Sequence, residues 1–73
     1  MTKHEASQLC IEDVEKLDAA KAWEYLQALN LDLTGASPDD AETFLKEGFP
    51  LGCMPGLLEQ IALRTIIAKR GGA

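Results

Sequence analysis

Along most of the chain, apolar residues return every three or four positions, the spacing of a helix with one buried side. The pattern is densest in PGLLEQIALRTIIAKR, residues 55–70, where Leu57, Leu58, Ile61, Ala62, Leu63, Ile66, Ile67 and Ala68 spread over most of the helical wheel. A helix that is apolar nearly all round has to be covered on more than one side, so this last helix is expected at the centre of the fold. Pro55 suits its first position, Gly71 and Gly72 suit its stop, and Lys69 with Arg70 complement the negative end of its dipole.

Weaker helical patterns precede it. Ala6, Cys10, Val14 and Leu17 share one side of a first helix, which could begin at a Thr2/Glu5 capping box, at Ser7, or only near Glu12. Its stripe lies well over a quarter turn away from that of Ala22, Leu26 and Leu29, so the chain is expected to break at Asp18, a favourable N-cap. The second helix then runs from Ala19 to about Asn30, with Ala19, Ala22, Trp23, Tyr25, Leu26 and Leu29 inward and Lys21, Glu24 and Gln27 outward. Leu31 and Leu33 alternate with polar residues, but a lone strand has no partner, and an extended connector that tucks both leucines under the core is expected instead. In SPDD, Ser37 caps, Pro38 takes the first helical position, and Asp39 and Asp40 sit at the positive end of the dipole. This third helix should end near Glu47, before Gly48, and give Ala41, Phe44 and Leu45 to the core.

Between the last two helices lies GFPLGCMPG, residues 48–56, whose glycines and prolines rule out a regular element while Phe49, Leu51, Cys53 and Met54 avoid water. The simplest role of these apolar residues is to close one end of the core; the alternative is an exposed patch that marks an interface. The expected fold is therefore all-α: one domain over residues 1–73, a small bundle of three to four short helices around the apolar C-terminal helix, with residues 1–5 and 71–73 frayed. Seventy-three residues bury a marginal core, and two cysteines make no disulfide framework. Self-association into a homodimer is expected to complete the cover of the last helix, through Leu58, Ile61, Leu63, Ile66 and Ile67.

Charge narrows the function. The net charge of −5 divides into −7 over residues 1–47 and +2 over residues 48–73. An acidic surface repels phosphate backbones, which argues against general nucleic-acid binding. MTKHEASQ lacks the apolar core of a signal peptide, and no apolar run is long enough to span a bilayer, so a cytoplasmic protein that does not enter membranes is expected.

Candidate chemistry is sparse. The carboxylates fall on wet faces, His4 lies in the N-terminal tail, and Ser7 has no evident base, so no enzyme is expected. Metal binding would require His4, Cys10 and Cys53 to converge from separate regions without a ligand-spacing motif, and the glycine-rich segment lacks the Lys-Ser/Thr of a phosphate loop. No metal and no cofactor is expected. Cys53, in a loop before a helix, leaves a thiol-based redox or metal-responsive protein as a third reading. A small helix-turn-helix-like nucleic-acid regulator is the second, although only Arg64, Lys69 and Arg70 make a basic end. The leading reading is a small acidic regulator or adaptor that binds and modulates another protein, an inhibitor or accessory factor of the size and charge that phages and mobile elements encode. Its partner would present a basic surface, and Trp23, Asp39, Asp40, Phe49, Leu51 and Met54 are the candidate contacts.

Overall fold

Short polar side chains take up free backbone amides at the start of the early helices. In the computed structural model, which describes residues 2–29, 33, 35–49 and 54–71, α1 spans Lys3–Ser7, α2 Ile11–Lys16 and α3 Ala19–Ala28. A turn of 3-10 helix, Pro38–Asp40, runs into α4 at Ala41–Glu47, and α5 spans Leu57–Gly71. The described residues contain no strand, and the fold is all-α. Leu31, Leu51 and Cys53, each with an expected place in the fold, lie outside the described residues, as do Gly72 and Ala73.

The caps fall where the sequence puts them. The Glu5 amide donates to Thr2 Oγ1 at 3.1 Å, and the Lys21 amide to Asp18 Oδ1 at 2.8 Å. At the SPDD corner the Asp39 amide donates to Ser37 Oγ at 3.3 Å, while the Ser37 amide donates to Asp40 Oδ2 at 3.0 Å. Each bond satisfies an amide near a helix start that has no partner inside the helix. Residues Lys3–Glu5, expected to fray, are the first turn of α1.

The first helix is the main departure. It is two helices, broken over residues 8–10, which brings the described α-helices to five instead of three or four. Eight residues along an unbroken helix would set Ala6 and Val14 about 80° apart on the wheel. The break lets both point inward, and they are 1% and 0% exposed. Cys10 pays for this with its expected place on the buried side: it becomes the N-cap of α2 and is exposed.

The last helix is central, as its composition requires, and packs against α2, α3 and α4. Ala62, Leu63 and Ile66 are 0% exposed. With Val14 and Leu26, Leu63 and Ile66 are among the largest fully buried side chains, each contributing about 1.5–3 kcal/mol of transfer free energy. Its ends differ from expectation. The Gln60 amide donates to Gly56 O at 2.9 Å, so Gly56 opens the first turn and Pro55 precedes the helix, accepting from Gln60 Nε2 at 3.1 Å. At the other end the helix continues through Gly71.

Aromatic residues fill the space beside it. Trp23 and Phe44 stack with ring centroids 6.4 Å apart, and Phe44 meets Phe49 at 5.5 Å with tilted planes. Gly48 makes this possible: it ends α4 with φ 88°, a conformation that L side chains rarely adopt, and the chain turns so that Phe49 is buried. Leu33 is buried, in keeping with its expected role as an inward-facing connector residue.

Candidate interaction surface

With the core assigned, the apolar residues left outside it become informative. Ile11, Met54 and Leu57 are the large hydrophobic side chains that remain well exposed among the described residues, at 40%, 64% and 63%. Two of the three lie together. Where the N-terminal end of α2 meets that of α5, Cys10, Ile11, Leu57, Leu58 and Glu59 line an open groove of about 520 Å³.

Local structure explains why this edge faces water. Val14 takes the inward direction of α2, and Ile11, one turn earlier, is left beside the groove. The Asp13 carboxylate accepts from the Cys10 amide at 3.2 Å and from its thiol at 3.3 Å. Those two bonds, the backbone one first, hold the Asp13 carboxyl below its ordinary value of 3.8, with Lys16 adding a smaller pull in the same direction. The two bonds therefore favour the ionised form of Asp13, at the edge of the groove that Cys10 lines. On the α5 side Glu59 lines the groove and lies close enough to Tyr25 to add to the upward shift that burial gives that phenol. The apolar floor therefore has two carboxylates beside it, Glu59 in its lining and Asp13 bonded to Cys10.

A second, smaller groove continues along the same pair of helices. Glu15 of α2 and Ile61, Arg64, Thr65, Ala68 and Lys69 of α5 line about 290 Å³ there. Its floor is less apolar, and it holds charges of both signs. Lys69 is engaged within the chain: its Nζ donates to Glu15 O at 3.0 Å and to Leu17 O, capping the carbonyl end of α2. Arg70 pairs with Asp39 and ties the end of α5 to the 3-10 turn. Arg64 makes no ion pair among the described residues.

The chain matches no family model, no curated protein and no solved structure.

The residues singled out from the sequence are thus dispersed. Trp23 and Phe49, offered as contact anchors, are 9% and 6% exposed and belong to the aromatic core, Trp23 stacked on Phe44 and Phe49 tilted against it. Asp39 is exposed but paired with Arg70, and Asp40 is half-buried and caps Ser37. Met54 is exposed, and Leu51 lies outside the described residues. Among the residues expected to pair copies of the chain, Leu63 and Ile66 are fully buried within a single chain and have no surface to offer. Leu58, Ile61 and Ile67 are half-buried at the edges of the core.

Ile11 and Leu57 were missed as contact candidates. A signal existed for the first: Cys10 and Asp13 have the spacing of an N-cap and its third helical residue, which starts α2 at Ile11 and leaves that side chain in the first turn, at the end of the helix. For Leu57 the wheel is uninformative, because α5 is apolar on nearly every side. The long-range ties of Lys69 and Arg70 carry no local signal.

Proposed function

We propose that this chain is a non-enzymatic interaction protein, a small acidic regulator or adaptor that acts by holding an apolar and basic segment of another protein. The observation that carries the reading is the groove between the starts of α2 and α5, where Ile11 and Leu57 stand in water with Glu59 in the lining and Asp13 bonded to Cys10 at its edge. Isolated exposed hydrophobic residues are ordinary, but apolar side chains from two elements lining one concave surface favour a partner. The acidic surround selects its sign. Charge of this kind steers encounter, and desolvation of the apolar floor then holds the complex. The alternative of a nucleic-acid regulator is weakened by Lys69 and Arg70, which are both engaged within the chain.

The test is an amide chemical-shift titration with a short amphipathic helical peptide of leucine and lysine, against a matched peptide of leucine and glutamate. The lysine peptide should shift the amides of Cys10, Ile11, Leu57 and Leu58, bind more weakly as salt is raised, and lose affinity when Ile11 and Leu57 are both replaced by Asn. Equal binding by both peptides, or shifts elsewhere on the surface, would remove the proposal.

A further inference from the structure

The two helices that form the groove at the helix starts are held very differently. α5 packs against α2, α3 and α4, whereas among the described elements α5 is the principal neighbour of α2. Six residues are too few to be stable as a helix alone, so α2 depends on its seat. That seat is slight: Val14 is buried, and the other five residues of α2 are exposed. The residues on either side are extended, Cys10 with ψ 179° and Leu17 with ψ 151°. No helical turn therefore carries over from α1 or into α3, and α2 can lift from α5 without unwinding either.

The remaining ties of α2 are polar and sit at its two ends. At the start, Asp13 takes up the amide and the thiol of Cys10. At the finish, the last carbonyls of a helix have no partner within it. Lys69, in the last turn of α5, supplies one: its Nζ donates to Glu15 O at 3.0 Å and to Leu17 O. The two ends of α2 thus have separate tasks. Lys69 grips the far end, and Ile11 at the near end lines the groove opposite Leu57, which it can do only while α2 is seated on α5.

We propose that α2 is a strap latched by Lys69, and that its seating couples the latch to the groove. The coupling rests on the reading of that groove as a binding surface; the latch stands without it. A segment in the groove meets Ile11 in the seated state alone, and Lys69 reaches the α2 carbonyls in that state alone. Both contacts favour the same state, so each strengthens the other by linkage. Loss of the Lys69 ammonium lets the strap lift more often. Apparent affinity then falls only as far as the seated fraction falls, which makes exchange of the strap the sensitive readout.

Native-state amide hydrogen exchange of the full chain tests this. The Val14 and Leu17 amides, bonded to Cys10 O and Val14 O, report the strap, and the amides of α3 report the rest of the fold. In the parent chain the strap amides should exchange faster than those of α3, by an opening short of global unfolding. Lys69→Met should speed them about three- to tenfold, the effect of losing bonds from a charged but exposed donor, with α3 unchanged. Lys69→Arg keeps donors at that position and should stay near the parent. Exchange of the strap in step with α3, or a Lys69→Met chain whose strap exchanges at the parent rate, overturns the latch. A saturating leucine and lysine peptide should slow strap exchange in the parent, and binding at the groove without that slowing overturns the coupling. A peptide that does not bind overturns the coupling together with the groove reading, while the Lys69 variants still decide the latch.

Discussion

Replacing Leu63 by Ala separates core from surface on α5 more sharply than any other single change. Leu63 is 0% exposed and packed on all sides by the chain itself, so the substitution removes buried atoms and leaves a cavity that neighbouring helices fill only in part. Comparable fully buried leucines cost about 2.7–5 kcal/mol. A domain of 73 residues has roughly 4–11 kcal/mol of total stability, so the variant should lose at least about a quarter of its margin. At about 4–8 °C per kcal/mol, its melting temperature should fall by at least about 10 °C. Leu57→Ala is the control, because a leucine 63% exposed has little burial to lose and should cost no more than about 0.5 kcal/mol. Urea unfolding followed by circular dichroism and by Trp23 fluorescence measures both, and coincident transitions would license the two-state comparison. If Leu63→Ala melted within a few degrees of the parent while Leu57→Ala lost stability, the assignment of the two faces of α5 would be reversed and the interaction surface with it.

Other expectations are cheaper to check. Asp18→Ala removes the oxygen that accepts the Lys21 amide and should cost about 1 kcal/mol, with amide exchange rising first at the start of α3. Lys69→Met removes the cap from the carbonyl end of α2 and should speed amide exchange in α2 more than in α4. Acid titration has a defined sign: the folded Asp13 carboxyl lies below its ordinary 3.8, so its contribution is present above that value and is lost as pH falls through the lower folded value. Asp13→Asn should flatten that part of the stability profile. In alkali the sign is opposite for Tyr25, whose raised value makes the folded state hold its proton; stability present below pH 10.0 should fall as pH rises beyond it, and Tyr25→Phe should remove that decline.

Which parts of the fold could be read from the sequence follows from the range of the interactions involved. Asp18, Ser37 with Pro38, and Gly48 act within three or four residues of their own positions, and each starts or ends a helix as its local chemistry dictates. The central place of α5 was legible too, since a helix with so little polar surface has no other stable location. Three things were not. The break before α2 follows from the need of both Ala6 and Val14 to reach the core, a tertiary demand that a wheel drawn for one helix conceals. Trp23 and Phe49 look like contact anchors until Phe44 is placed between them. The open edge of α5 depends on which of its sides α2, α3 and α4 leave uncovered, and composition cannot choose among sides that are nearly alike.

The charges sharpen the same contrast between the two ends of α5. The C-terminal third of the sequence carries the net positive charge, and on composition alone it would be the end that meets an anionic partner. In the fold, Lys69 serves the carbonyls of α2 and Arg70 serves Asp39, which leaves Arg64 as the exposed cation of α5 without an ion pair among the described residues. Near the start of α5 the charges are acids, because Glu59 lines the groove and Asp13 is bonded to Cys10 beside it. The apolar groove is therefore flanked by acids at the start of a helix whose far end is basic. If the proposed basic segment binds there, salt should act mainly on the rate at which it arrives, and replacing Ile11 and Leu57 on the rate at which it leaves.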